Sequence, residues 1–257
     1  MGYVRCQTVE GNTFVYCRRL EAQTEIGLPS VQNHLIELLP RADRAHFLGI
    51  CEEVELVLAD VISERGALTR HVYFPTQGFI SLVTPIDGKP VLEVGMVGSE
   101  GMLGAQIVLG VAKAPLHALV QGPGSAWRIA TAPFRKELAR SKALRAALDR
   151  YLYVTMVQLA SSAACLRFHQ IGPRLARWLL MTQDRAHSAN FHVTHEFLAF
   201  MLGVRRVGVT TAAVQLQRQG LIEYRRGAVT VLNRRGLEAA ACSCYATDKR
   251  TYADVMH

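Results

Sequence analysis

The chain has 257 residues, and its 29 Lys and Arg residues against 21 Asp and Glu residues give a formal net charge of +8. Half of the residues are hydrophobic and only 19% are charged. A chain of this composition can bury a hydrophobic core, which excludes a disordered or low-complexity protein. Its length suits one or two domains, each with its own core.

The positive charge is concentrated in the last third of the chain. Residues 167–257 contain 13 Lys and Arg but 6 Asp and Glu, a net charge of +7, whereas the first 166 residues are almost neutral. This asymmetry favours a neutral domain followed by a basic domain. A basic domain of this kind binds a polyanion, either nucleic acid or an anionic membrane surface.

The sequence shows no targeting or membrane-spanning segment. The first 20 residues are mixed polar and lack the apolar core of a secretion signal. The longest run without charge, residues 151–166, is shorter than the stretch of about 20 residues that spans a bilayer. We therefore expect a cytoplasmic protein with no membrane partner, whose six cysteines are reduced thiols.

Residues 1–28 lack periodicity and are interpreted as an N-terminal extension, while residues 29–132 are predicted to form a β-roll sensor domain, similar to a jelly roll. This domain begins with two short helices, one ending at Pro40 and one over residues 43–51. Asp87 and Gly88 are typical of a hairpin turn. Period-2 alternation and β-branched residues predict strands over 54–58, 71–74, 79–84, 91–94, 118–120 and 126–129.

Four glycines recur at every third position, at 95, 98, 101 and 104. No βαβ unit surrounds them, so a dinucleotide-binding loop is disfavoured. We interpret them as turn residues that supply positive φ angles.

Residues 133–169 are predicted to form one long helix that is apolar on two sides. Leu148, Tyr151 and Val154 are expected to pack on the chain's own β domain. The other side repeats apolar residues at alternating spacings of four and three, as in a coiled-coil seam. The pattern predicts a parallel homodimer, although a single-chain core helix would also satisfy it. The seam consists of Leu152, Met156, Leu159, Ala163 and Leu166.

Residues 170–257 are predicted to form a winged helix-turn-helix domain. A first helix over 174–185 would direct Leu175, Trp178, Leu179 and Thr182 inward. After the N-cap Thr194, the chain places a small residue at Ala199, a turn glycine at Gly203 and an apolar residue at Val209, with Leu198, Leu202, Val204 and Ala212 also inward. This spacing is typical of a helix-turn-helix, whose second helix enters the DNA major groove.

The predicted DNA contacts fall into two classes. The first residues of the second helix reach base edges, where arginine pairs with guanine and threonine contacts the thymine methyl. A basic tip on the following hairpin contacts phosphate, and Arg174 and Arg177 are further candidate phosphate contacts. Gly208 either allows close approach to DNA or is merely tolerated. The predicted DNA-binding residues are Thr194, Arg205, Arg206, Thr210, Thr211, Gln215, Arg225 and Arg226.

The remaining cysteines and histidines do not form a recognisable catalytic or metal-binding motif in the sequence. Cys242 and Cys244 are the only close cysteine pair; they are interpreted as ordinary thiols, with a redox switch or metal site as the alternatives. The histidines at 169, 187, 192 and 195 are interpreted as solvated loop residues. Since no known catalytic motif occurs, we predict no enzyme activity, no catalytic residue, no metal and no cofactor.

The order of these domains resembles the Crp/Fnr family of bacterial transcription regulators. The residues that carry this resemblance are 71–75, 97–104, 201–206, 219–222 and 233–238. It implies an α+β fold with an N-terminal β-roll, a long dimerisation helix and a C-terminal winged helix-turn-helix. It also implies a dimer that senses a signal and binds near-palindromic double-stranded DNA, with RNA polymerase as a further candidate partner.

The sequence departs from the cyclic-nucleotide-binding members of that family. Leu116 stands where those members have a phosphate-binding arginine, and His117 where they have a hydroxyl. Leucine offers a phosphate neither charge nor donor. Glu100 matches the ribose-contacting glutamate, but we favour a turn role. These three residues mark the candidate effector pocket, and we expect a signal other than cyclic AMP.

Further departures leave the signal and the DNA site open. The cysteine spacing does not reproduce the N-terminal cluster of the oxygen-sensing members, and residues 206–211 keep little of the usual recognition sequence. The alternatives are a regulator gated by a cyclic nucleotide, or a signalling module whose winged helix contacts protein.

Overall fold

A computed structural model describes residues 7–9, 12–14, 33–86 and 89–257. Strands β1 (Gln7–Val9) and β2 (Asn12–Phe14) form an antiparallel pair. The rest of the predicted N-terminal extension and the predicted turn at Asp87 and Gly88 lie outside the described residues.

The first domain is a β-roll of two antiparallel sheets preceded by two short helices, α1 (His34–Glu37) and α2 (Arg41–Gly49). One sheet has the order β4-β8-β6-β7 and the other the order β3-β9-β5. Between the sheets lies an apolar layer that includes Leu56, Ile80 and Val120. The strands are β3 (Glu52–Leu56), β4 (Val61–Ser63), β5 (His71–Pro75), β6 (Phe79–Ile86), β7 (Lys89–Val97), β8 (His117–Gly122) and β9 (Gly124–Ala130).

The predicted elements of this domain are largely confirmed, with three differences at the start. The second helix runs over Arg41–Gly49 rather than 43–51. The strand predicted over 54–58 occupies Glu52–Leu56, because the chain then turns through Ala59, which has a positive φ of 69°. This turn starts β4, which the alternation pattern did not indicate.

The prediction that four spaced glycines supply positive φ angles is wrong for three of them. Only Gly104 has a positive φ, of 95°. Gly98 and Gly101 instead permit close packing, since a Cβ at these positions would collide with the side chains of Arg185 and Tyr151 respectively. Both neighbours come from distant helices, which is why the local pattern could not reveal this role.

The predicted long helix is divided into α3 (Thr131–Arg140) and α4 (Lys142–Phe168). Ser141 is extended between them, and its Oγ accepts a hydrogen bond from the Leu144 amide at 3.1 Å and donates one to Asp43 at 2.6 Å. This cap restarts the helix in a new direction. As predicted, Leu148 and Val154 are fully buried in the core of the first domain.

The second domain contains α5 (Ile171–Ala186), α6 (His195–Leu202), α7 (Arg206–Arg218) and α8 (Arg234–Ala240), with α9 (Ser243–Val255) after them. A small sheet of order β10-β12-β11 joins β10 (Asn190–His192), β11 (Ile222–Arg225) and β12 (Ala228–Val231). The predicted loop before α6 therefore contains a strand. The four side chains predicted to point inward from α5 are all buried.

The two domains share a continuous interface. Phe79, Val83 and Met96 of the β-roll pack in the same apolar cluster as α6 and α7. At the edge of this cluster, the Trp178 indole donates to the Glu93 carboxylate at 2.9 Å, and Glu93 also accepts from the Ser81 hydroxyl at 2.6 Å.

Helix α9, which the sequence did not predict, returns from the second domain to the first. It packs along α4, the Tyr252 hydroxyl donates to the Glu100 carbonyl at 2.7 Å, and Met256 enters the core of the β-roll domain. Within the described residues, no single helix is long and apolar enough to cross a membrane; α6 and α7 satisfy that test only as a pair bent by 109°.

Candidate nucleic-acid interface

Helices α6 and α7 form a helix-turn-helix with the predicted turn geometry. The Thr194 hydroxyl caps α6 by accepting from the Phe197 amide at 3.1 Å. Gly203 ends α6 in the left-handed conformation with φ of 61°, and the Val204 amide bonds back to the Ala199 carbonyl at 2.9 Å. Since the two helices differ in direction by 109°, α7 projects one face outward, as a recognition helix does.

The outward face of α7 carries both predicted and unpredicted residues. Arg205, Arg206, Thr211 and Gln215 are exposed, as a base-reading face requires. Val207 is 70% exposed on the same face, and its apolar side chain suits a thymine methyl. Arg218 extends the face by one turn. The spacing of 207, 211 and 215 places Val207 on this face, but an isolated valine next to two arginines is equally compatible with a core position.

Two residues of α7 face the protein rather than solvent. The Thr210 hydroxyl is half-buried and lies 3.0 Å from His195 Nδ1, and it donates to the Arg206 carbonyl at 3.1 Å. Gly208 faces α5, where an added Cβ would collide with Ile171. Gly208 therefore allows α7 to pack closely against the Ile171 side chain, and the two interpretations offered for it from the sequence stay predictions.

The wing is a tight hairpin with a basic tip. β11 pairs with β12 so that Arg225 lies opposite Ala228. The two residues between them, Arg226 and Gly227, have φ angles of 49° and 88°, which is the pattern of a type I′ turn. Arg225 pairs with Glu223 at 2.7 Å on the surface, whereas Arg226 is exposed at the tip.

The base of the wing is fixed to α6. The Tyr224 hydroxyl donates to the Val193 carbonyl, and its ring stacks against His195 with centroids 4.4 Å apart. Burial, together with the nearby charge of Arg206, lowers the pKa of His195. A neutral His195 therefore supports the interface without adding charge to it.

The prediction that Arg174 and Arg177 contact phosphate is wrong. Arg174 is only 8% exposed and donates to the Leu202 carbonyl at the end of α6. Arg177 forms an ion pair with Asp248 of α9 at 2.8 Å and donates to the Ser162 hydroxyl at 3.3 Å. Both guanidinium groups point into the protein because the face of α5 that carries them is covered by α4, α6 and α9.

A cavity of about 1600 Å³ lies between the β-roll, α4 and α9. Of the predicted pocket residues, Glu100 and Leu116 line it, whereas His117 is buried at the start of β8 and is not part of its lining. The Glu100 carboxylate accepts from Arg185 of α5 at 2.8 Å. The cavity wall combines apolar side chains of the roll with side chains of the predicted seam, including Tyr73, Leu82, Val97, Met102, Leu152 and Met156.

The predicted seam residues share one uncovered face of α4. Met156 and Leu159 are 62% and 40% exposed, Ala163 is exposed, and Leu152 and Leu166 are half-buried. Large apolar side chains in a continuous exposed row are unusual on a single chain.

Sequence reasoning missed one group of side chains. The structure brings Cys165 and His169, at the end of α4, next to Cys242 and Cys244 at the start of α9. These pairs are more than 70 residues apart in the sequence. His187, His192 and His195 do not join this group.

Comparison with known proteins agrees with this geometry. Residues 173–240 match the model of the Crp-like helix-turn-helix domain. No curated protein matches the chain in sequence. The resemblance to Crp/Fnr regulators is confirmed, in the winged domain by this family model and over the remainder of the matched chain at the level of fold.

Solved structures with the same fold cover both domains. A putative Crp/Fnr-family regulator from Eubacterium rectale has 15% identity and a TM-score of 0.63, over 81% of this chain and 99% of that one. A CRP-family regulator from Thermus thermophilus has 22% identity and a TM-score of 0.60, over 73% and 96%. FixK2 from Bradyrhizobium japonicum has 15% identity and a TM-score of 0.59, over 75% and 98%.

Proposed function

We propose that this chain, with its Crp-like helix-turn-helix domain and the Crp/Fnr fold, is a dimeric, sequence-specific DNA-binding transcription regulator rather than an enzyme. The observation that carries this proposal is the exposed face of α7, where Arg205, Arg206, Thr211 and Gln215 stand beside the basic wing tip at Arg226. Arginines at the start of a recognition helix read bases, and the wing arginine adds affinity for phosphate.

The uncovered seam on α4 supports a homodimer. Two copies packed through Leu152, Met156 and Leu159 would remove exposed apolar surface from water. A two-fold dimer presents two recognition helices, so the DNA site would be near-palindromic, with half-sites about 34 Å apart, one helical turn of DNA.

The cavity supports a signal other than cyclic AMP. Leu116 contributes only hydrocarbon to its wall, and the Glu100 carboxylate is already bound by Arg185. Arg177 is likewise engaged by Asp248. The inner wall between the two sheets and α4 carries apolar side chains such as Leu82, Val97 and Met102, while Arg70 and Lys249 are further cations of the lining; the apolar part favours a ligand with a substantial hydrocarbon surface.

Selection of bound duplexes from a random DNA pool tests DNA recognition, with affinity then measured at several salt concentrations. We expect a near-palindromic consensus and an affinity that falls steeply with salt, because phosphate contacts release counterions. Failure to bind any duplex at low salt would reject the proposal and favour a winged helix that contacts protein. A calorimetric titration with cyclic AMP is expected to be flat, and saturable heat would favour the cyclic-nucleotide-gated alternative.

Two variants test the dimer. Met156→Glu places a charge in the seam and is expected to give a monomer by analytical ultracentrifugation. Ala146→Glu is the matched control, because Ala146 is exposed on the same helix but off the seam, and it should remain dimeric. A Met156→Glu protein that stays dimeric would reject this interface.

A further inference from the structure

Four potential metal ligands meet where α4, α5 and α9 converge. One ligand atom each from Cys165, His169, Cys242 and Cys244 lies within 4.8 Å of all the others. The Cys165 and Cys242 sulfurs are 3.5 Å apart, and the Cys244 sulfur is 3.6 Å from His169 Nδ1. In the part of the chain that the structure describes, this is the one group of three or more His, Cys, Asp or Glu side chains packed so closely.

The spacing fits a tetrahedral ion better than a covalent bond. Zinc binds thiolates at about 2.3 Å and imidazoles at about 2.0–2.1 Å, so tetrahedral neighbours stand roughly 3.5–3.8 Å apart. The Cys165–Cys242 and Cys244–His169 pairs, at 3.5 and 3.6 Å, have this separation. A disulfide would require sulfurs at about 2.05 Å.

The four ligands come as two pairs, one at the end of α4 and one at the start of α9, and each pair is brought together by local structure. Cys165 and His169 are four residues apart at the end of α4, so they lie on the same face, one turn apart. Cys242 occupies the N-cap position of α9 and Cys244 lies in its first turn, where the helix dipole favours thiolates. The Cys242 amide bonds to the Pro173 carbonyl at 3.3 Å, which fixes this turn against the start of α5.

The burial of the cysteines and the nearby arginines suit a closed metal site with a net charge of −1. Cys165, Cys242 and Cys244 are all buried and form a cluster of their own. Three thiolates and a divalent cation carry a net charge of −1. Arg174 and Arg177 both lie close enough to interact electrostatically with Cys165 and Cys242, so positive charge is available to balance it.

We infer that Cys165, His169, Cys242 and Cys244 bind one Zn²⁺ ion per chain in a closed, structural site. Three thiolates and one imidazole form a donor set typical of structural zinc, and four protein ligands leave no position open for catalysis. The ion would cross-link the end of α4 to the start of α9. Helix α9 also contacts the β-roll through Tyr252 and Met256. A metal cross-link between α4 and α9 would therefore fix the orientation of the winged domain relative to α4.

Metal content and spectroscopy of the full chain test the site directly. Protein purified with reductant and without chelator is expected to contain one zinc ion per chain, measured by inductively coupled plasma mass spectrometry. Co²⁺ added to the metal-free protein should give the strong visible absorption of a tetrahedral, thiolate-rich site. Removal of the ion by a chelator should lower the unfolding temperature, because the binding energy contributes to folding.

Variants assign the ligands. Cys242→Ser combined with Cys244→Ser should abolish the Co²⁺ spectrum and the bound zinc, and His169→Gln should weaken Zn²⁺ binding by at least tenfold. Cys51→Ser is the matched control: Cys51 is a half-buried free thiol of the first domain, distant from the cluster in the sequence, and its loss should leave one zinc per chain. Circular dichroism of each variant confirms that it is folded.

Three results would overturn the inference. The first is that the reduced wild-type protein, after reconstitution with Zn²⁺, binds less than one metal ion per chain. The second is that the Co²⁺ spectrum survives in the protein carrying both Cys242→Ser and Cys244→Ser. The third is a Cys165–Cys242 disulfide in wild-type protein whose free thiols were blocked during isolation. None of these outcomes bears on DNA binding by α7, so the zinc site and the proposed regulator function can fail separately.

Discussion

Arginines of the second domain divide into two sets with opposite environments. Arg206 and Arg226 are exposed on the recognition helix and the wing. Arg174 is buried on α5 and donates to the Leu202 carbonyl, and the largely covered Arg177 next to it pairs with Asp248. Both sets contribute equally to the basic charge of this domain, but only the first is available to DNA. Net charge therefore indicated which domain would bind a polyanion, while burial decides which of its arginines are exposed enough to do so.

The largest expected effect is a loss of folding stability when Arg177 is replaced. Arg177→Met leaves Asp248 without its cation, and removing one partner of a buried ion pair costs about 3–5 kcal/mol. The loss should appear in denaturant unfolding, with Arg206→Ala as the control, because exposed substitutions change stability by about 0.5 kcal/mol or less. Arg177→Met combined with Asp248→Leu should recover much of the loss; if it does not, the ion pair is not the cause.

A second prediction concerns pH at the interface between the domains. Burial raises the pKa of Glu93 to about 7, against opposing hydrogen bonds from Ser81 and Trp178 and the charges of Arg185 and Arg177. Because the folded state then binds this proton more tightly than the unfolded state, the Glu93 contribution to the free energy of unfolding falls as pH rises from about 4.5 to about 7. The total fall is on the order of 3 kcal/mol.

Comparison of Glu93→Gln with the wild type at pH 5 and pH 8 isolates this contribution. The variant keeps an acceptor for Trp178 but cannot titrate. We expect the stability of Glu93→Gln relative to the wild type to increase between these two pH values. An unchanged difference would mean that Glu93 has the same pKa in both states.

At the exposed set, Arg206→Ala should reduce binding to the selected DNA site by about 1–3 kcal/mol and relax the preference at one base position. The measurement is fluorescence anisotropy with the consensus duplex and with duplexes substituted at each position. An equal loss on every sequence would show that Arg206 contacts only phosphate.

The smallest expected effect is at the wing. Arg226→Ala should weaken binding uniformly across sequences and reduce the slope of log affinity against log salt by about 1, because one phosphate contact is lost. Ala228→Ser, at an exposed position of the same hairpin, is the control and should leave the slope unchanged. A change in base preference caused by Arg226→Ala would place the wing in a groove.

Local patterns predicted the elements whose cause is local. The N-cap Thr194, the left-handed Gly203 and the buried Val209 are readable because capping, turn geometry and helical periodicity act over a few residues. Most strands of the roll were readable for the same reason, but β4 was not. The break at Ser141 was not, because its cap depends partly on Asp43, 98 residues away.

The sequence by itself determined the order of the domains, the basic winged helix-turn-helix and the apolar seam on α4, because charge and periodicity are properties of neighbouring residues. The tertiary structure alone decided which arginines remain exposed, how Glu100 and Glu93 are used, and that Cys165 and His169 meet Cys242 and Cys244. The meeting of the cysteines with His169 and the Arg177–Asp248 pair depend on α9 folding back along α4, whereas the contacts of Glu93 and Glu100 depend on α5 packing against the β-roll. Contacts between residues so far apart leave no periodic trace in the sequence.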